Sequence, residues 1–111
     1  MARILIADDR ELMREALRTL FVLRPNWEIC GEAEDGREAV AKATELQPDV
    51  IVLEFKMPLA DGLQAASEIC KNLPATPIVM YTLYKSAQLE SAARLAGVRR
   101  VVAKDEGVED Y

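Results

Sequence analysis

The sequence predicts an α/β protein in which a parallel sheet is covered by helices on both faces. Short runs that are apolar at every position alternate with longer stretches whose apolar residues recur at helical spacing, the pattern of β/α units laid in series. Runs with no polar side suit strands buried on both faces, and hence a parallel sheet. With 111 residues, the chain is long enough for one compact domain and too short for two.

The apolar runs are Ile4 to Ala7, a weak one from Glu28 to Gly31, Val50 to Leu53, Ile78 to Tyr81 and Val101 to Ala103. Between the first two, Met13, Ala16, Leu17, Leu20 and Phe21 mark one face of a helix from about Glu11 to Leu23, stopped by Pro25. A second helix runs from about Gly36 to Leu46 with Ala39, Val40, Ala43 and Leu46 inward, and Pro48 closes it. Asp61 is the N-cap of a third, whose face is Leu63, Ala66, Ile69, Cys70 and Leu73, ending before Pro74. Ser86 starts a fourth carrying Leu89, Ala92, Ala93 and Ala96, and Gly97 suits its C′ position. The order is βαβαβαβαβ, with no repeat or internal linker. After the last strand a fifth helix is expected, but Asp105 to Tyr111 supplies at most its first turn, so the chain reads as truncated there. A missing helix would uncover something like 400 Å² of apolar sheet, roughly 10 kcal/mol as an upper estimate. That rivals the whole stability of a small domain, about 5–15 kcal/mol, and implies self-association through the uncovered face.

Composition narrows the function. No apolar run approaches the roughly 20 residues of a bilayer span, and the Ile4 to Ala7 stretch meets Asp8-Asp9 too soon for a signal peptide, so a cytoplasmic protein is expected. The absence of histidine excludes Ser-His-Asp and Cys-His catalysis and His-ligated zinc. Cys30 and Cys70 lie in apolar-patterned segments and read as reduced core thiols. A net charge of −5 argues against direct nucleic-acid binding by this domain. Arg94, Arg99 and Arg100 read as a solvated basic cluster, and Trp27 as a packing anchor in a loop.

The strongest functional signal is positional. Ile4 to Ala7 ends in Asp8-Asp9, Val50 to Leu53 in Glu54, Ile78 to Tyr81 in Thr82, and Val101 to Ala103 in Lys104. In an open parallel sheet these carboxyl ends share one edge, where ligands bind. Carboxylates packed that closely either raise one another's pKa or hold a hard cation, for which magnesium is the natural candidate. Lys104 and the Thr82 hydroxyl would then stabilise phosphoryl oxygens, so the set points to phosphoryl transfer.

This arrangement resembles the response-regulator receiver family of the CheY-like superfamily, over essentially the whole chain. It rests on Asp8-Asp9, the stretch from Pro48 through Glu54 and Lys56-Met57-Pro58 to Asp61-Gly62, Thr82 and Lys104. The stretch Gly31 to Val40 and the pair Lys104-Asp105 look most like the NarL/LuxR subgroup. The resemblance implies a flavodoxin-like, doubly wound five-stranded sheet of order 2-1-3-4-5, not an enzyme but a signalling module. It implies magnesium at Asp8, Asp9 and the main-chain carbonyl of Lys56 beside Glu54, and a sensor histidine kinase or other phosphodonor as partner. In that subgroup the receiver controls a helix-turn-helix DNA-binding domain, which would lie outside this chain.

The sequence also departs from the family. The phosphoacceptor position holds Glu54 where phosphorylatable members carry aspartate; the extra methylene shifts the carboxylate by about 1.5 Å. A misplacement of about 1 Å costs around 10²-fold in rate, so normal phosphorylation should fail. A natural loss of phosphate dependence and an engineered phosphomimetic both fit, the latter partial because a phosphoryl group carries about −1.5 to −2 charges. At the switch, Thr82 is usually coupled to an aromatic residue on the last strand, but the matching position is Val101; Tyr81 and Tyr84 flank Thr82 as substitutes. Leu83 narrows access to the pocket, and Lys56 brings a positive charge that weakens magnesium binding. A pseudo-receiver binding partners without phosphate is the alternative reading, and a small aspartate-dependent phosphatase a weaker one.

Overall fold

The computed structural model describes residues 1–104. Five strands alternate with four helices: β1 (Ala2–Ala7), α1 (Glu11–Val22), β2 (Trp27–Ala33), α2 (Gly36–Leu46), β3 (Val50–Leu53), α3 (Gly62–Asn72), β4 (Ile78–Thr82), α4 (Ala87–Leu95) and β5 (Arg100–Ala103). All pair in parallel in the order β2-β1-β3-β4-β5, as the resemblance implies. The expected remnant of a fifth helix falls on residues 105–111, outside the described part.

Strand alternation splits the core into two layers. Leu5, Ala7, Ile51, Leu53, Ile78, Met80 and Val101 meet the small side chains Ala39, Ala43, Ala65, Ala66 and Ala93 of α2, α3 and α4. Ile4, Ile6, Val52, Tyr81 and Val102 face the other way, onto Leu17 and Phe21 of α1. Beside α1 this second layer opens into a groove of about 260 Å³, walled by Leu20, Phe21, Trp27, Val50 and Val79. Among the described residues no helix is long and apolar enough to cross a membrane.

Helix starts follow the expected chemistry. Asp61 caps α3 by accepting from the Gln64 amide at 2.9 Å, while the Gln64 side chain accepts from the Asp61 amide at 3.1 Å, a complete capping box. Ser86 caps α4 through the Leu89 amide at 3.0 Å, and Gly97, at φ +96°, ends it in the left-handed region that glycine enters freely.

Two expectations need correction. Trp27 is not in a loop: it opens β2 and stacks on Phe21 with ring centroids 5.8 Å apart. Cys30 and Cys70 are free thiols but only half-buried, because β2 is an edge strand and Cys70 sits at the rim of α3 beside Gly97. Burial holds both thiols above their ordinary pKa, so they remain protonated and inert.

Candidate functional site

Parallel pairing aligns the carboxyl ends of the inner strands. Ala7 sits opposite Leu53, Leu53 opposite Met80, and Thr82 opposite Ala103, so Asp8, Glu54, Thr82 and Lys104 follow from adjacent positions on one sheet edge. The Lys104 ammonium bridges two carboxylates there, lying 2.9 Å from Asp8 Oδ2 and 2.7 Å from Glu54 Oε1. All three side chains are almost sealed from water, at 4%, 3% and 6% exposure. Burial drives the Lys104 pKa down, but hydrogen bonds to Asp8 and Glu54, with their charges, overcome it and leave the amine above its ordinary value. It is therefore a fixed cation at neutral pH.

The remaining carboxylate oxygens are also held. Asp8 Oδ1 accepts from the Arg10 amide at 2.9 Å, and Glu54 Oε2 accepts from the amides of Phe55 at 2.5 Å and Lys56 at 3.3 Å. The loop carrying Glu54 is folded tightly against α3: the Gly62 amide donates to the Phe55 carbonyl at 2.6 Å. A β-carbon on Gly62 would lie 2.4 Å from the Glu54 carbonyl, so only glycine permits this approach.

Beside Glu54 opens a cavity of about 390 Å³, lined by Asp9, Arg10, Glu54, Lys56, Leu83 and Tyr84 among others. Asp9 is exposed on its wall rather than joined to the triad. The Lys56 ammonium lies over the Tyr84 ring, 5.2 Å from its centroid, a cation–π contact in the cavity lining. Leu83 lines the cavity and is itself half exposed.

Thr82 is fully buried, and its Oγ1 accepts from the Tyr84 amide at 3.2 Å, so the hydroxyl belongs to the start of the β4–α4 connection. Val101 lies in the layer under α4. Tyr81 faces the α1 layer, with its hydroxyl donating to the Lys104 carbonyl at 3.4 Å.

The response regulator receiver domain family matches residues 4–110. The chain belongs to that family. PdtaR of Mycobacterium tuberculosis, a transcriptional regulatory protein, is 40% identical over 108 residues, 97% of this chain and 52% of its own length. The response regulator domain of Thermotoga maritima CheB superposes with a TM-score of 0.89 at 33% identity, covering 96% of this chain and 81% of that one. The receiver domain of Mycobacterium tuberculosis NarL gives 0.89 at 27% identity, covering 94% and 84%. The receiver spans about half the length of the curated transcriptional regulators it matches, and about a third of the methylesterases.

The donor set suits a hard divalent cation in kind, since every candidate ligand is oxygen. In position, however, Lys104 occupies the space between Asp8 and Glu54, and among the described residues no three carboxylate, thiol or imidazole groups gather to hold a metal. The receiver thus fits magnesium only in part, with Glu54 already committed.

One participant escaped the sequence. Arg14, 5% exposed on the inner face of α1, donates to the Asp8 carbonyl at 2.7 Å and pairs with Glu11, with Glu32 at 3.3 Å and with Glu34 at 3.4 Å. It ties the acidic β1–α1 turn to β2. Its signal was there: a cation spaced three and seven residues before the inward Leu17 and Phe21.

Proposed function

We propose that this receiver belongs to a two-component phosphorelay but switches without ordinary phosphorylation, because Glu54 occupies the acceptor position. The observation that carries this reading is the Glu54 carboxylate itself, held by Lys104 on one oxygen and by two main-chain amides on the other. In-line attack on a phosphodonor needs a free, correctly placed carboxylate oxygen, and a longer arm that is already tethered supplies neither. Thr82 and Lys104 would be the residues to stabilise a phosphoryl group, and a Lys104 amine raised above its ordinary pKa by Asp8 and Glu54 supports a cation in that role.

Magnesium, when bound, would neutralise phosphoryl charge; Asp8, Asp9 and the main-chain carbonyl of Lys56 are the residues to hold it, weakly beside the Lys56 cation. A sensor histidine kinase or other phosphodonor is the upstream partner, a DNA-binding output domain outside this chain the downstream one, and the compartment is the cytoplasm. The apolar groove beside α1 would be the surface for self-association. The module is not an enzyme in its own right, and membership of the receiver family speaks against the small phosphatase. The phosphate-independent pseudo-receiver reading draws on Val101, an aliphatic residue where a rotating aromatic switch would otherwise sit.

Intact-mass spectrometry after incubation with acetyl phosphate and magnesium tests the proposal. The parent chain should gain no phosphoryl group, whereas Glu54→Asp should gain one. Comparable labelling of the two would overturn it.

A further inference from the structure

Three of the four described helices open on a side chain that accepts from the first turn: Asp35 from the Glu38 amide at α2, Asp61 from the Gln64 amide at α3, and Ser86 from the Leu89 amide at α4. At α1 the N-cap position holds Arg10, whose side chain makes no such bond. The entry to α1 is the turn that carries Asp8 and Asp9, so the acidic turn lacks the device that fixes the other helix entries. Arg14 holds it from inside the helix instead. One terminal guanidinium nitrogen donates to the Asp8 carbonyl at 2.7 Å, Nε faces Glu32 of β2 at 3.3 Å, and the other terminal nitrogen meets Glu11 and Glu34. The gripped carbonyl belongs to the peptide plane that contains both the Asp8 and the Asp9 α-carbons. Fixing that one oxygen therefore sets the origin of both side chains.

We propose that Arg14 is a positioning residue, holding the Asp8–Asp9 peptide in the orientation that presents these carboxylates to a divalent cation. The proposal rests on the reading of Asp8 and Asp9 as cation-holding residues. A planar fork of donors suits the task, because it grips the carbonyl and the flanking acids at once in fixed directions, which a lysine ammonium does not. Arg14 is 5% exposed, so the fork is held within the fold rather than sampling solvent. Coulomb's law alone gives the opposite sign. A positive charge beside the turn repels a metal ion, and its removal should tighten metal binding. Positioning and simple charge are thus separated by the direction of one measured change.

Titration with Mn2+, followed by the electron paramagnetic resonance signal of the free ion, tests the proposal on the whole chain. Arg14→Met should weaken Mn2+ binding about tenfold or more, the usual effect of losing a residue that orients a metal-holding group. Arg14→Lys keeps the charge without the fork and should recover only part of the loss. Leu17→Ala, at a buried position farther along α1, controls for destabilisation alone. It should leave Mn2+ affinity within about twofold, at a temperature where circular dichroism shows every variant folded. Unchanged or tighter binding in Arg14→Met, parent-like affinity in Arg14→Lys, or an equal loss in Leu17→Ala would each overturn the proposal. Asp9→Asn separates the two claims. If the parent binds no Mn2+, or Asp9→Asn binds it as the parent does, the cation reading of the turn fails and the proposal with it; loss in Asp9→Asn without loss in Arg14→Met removes the role of Arg14 alone.

Discussion

Replacing Lys104 by Met keeps the apolar stem of the side chain and removes its terminal ammonium. Two carboxylates, at 3% and 6% exposure, are then left facing each other without the cation that lay 2.9 and 2.7 Å away. Removing one partner of a buried ion pair costs about 3–5 kcal/mol, because the charge left behind remains desolvated. Here two are left, so the upper part of that range applies. Against a domain stability of about 5–15 kcal/mol the effect is large, and at roughly 4–5 °C per kcal/mol it corresponds to a fall in melting temperature of about 16–25 °C. Urea unfolding followed by circular dichroism, in chelator and then in magnesium, is the assay. In chelator the variant should be destabilised by the stated amount, and Lys104→Met/Glu54→Gln should recover part of it. In magnesium the variant should regain more stability than the parent does, because the vacated space between Asp8 and Glu54 suits a divalent cation. A loss under about 1 kcal/mol, or no recovery in the double variant, would refute the claim that Lys104 neutralises both acids.

Arg14→Met should cost about 1.5–3 kcal/mol in the same unfolding assay, from the lost charged hydrogen bond to the Asp8 carbonyl, while Glu32 keeps its pair with Arg18; a neutral result would show that the β1–α1 turn holds itself. Gly62→Ala should destabilise by roughly 1–3 kcal/mol, since its β-carbon would stand 2.4 Å from the Glu54 carbonyl and the loop must move; an unaltered melting curve would contradict that packing. Alkaline titration reports on Lys104. Its folded pKa lies above the ordinary value of about 10.5, so its stabilisation is fully present below that pH and disappears as pH rises through the folded value. The stability gap between parent and Lys104→Met should accordingly be flat up to about pH 9 and close above about 10.5, and a gap that widens with pH would contradict the assignment.

The inner strands were legible because they are buried on both faces. Ile4 to Ala7 and Ile51 to Leu53 have no wet side, so continuous apolar runs are what the fold demands of them. β2 obeys a different rule. It lies at the sheet edge, Trp27 and Glu28 are exposed, and Ile4 pairs with Ile29 while Leu5 pairs with Gly31, so Cys30 is an extra residue that breaks the alternation. The weak signal from Glu28 to Gly31 was the imprint of that bulge on an edge strand, and its true ends lay beyond what hydrophobicity could mark.

The candidate site divides along a similar line. That Asp8, Glu54, Thr82 and Lys104 share one sheet edge follows from strand ends alone, since parallel strands bring equivalent ends together. Which atoms meet does not follow, because it depends on contacts between residues 96 apart in sequence, such as Asp8 with Lys104. Arg14 illustrates the gap most sharply. Alone on an apolar helix face it violates the pattern, and it becomes explicable only when β2 brings Glu32 and Glu34 alongside α1. A buried charge that contradicts its local pattern is therefore a pointer to acids from elsewhere in the chain. The converse applies to Glu54: its place at a strand end follows from the sequence, yet its 2.7 Å contact with Lys104 becomes visible only in the assembled sheet edge.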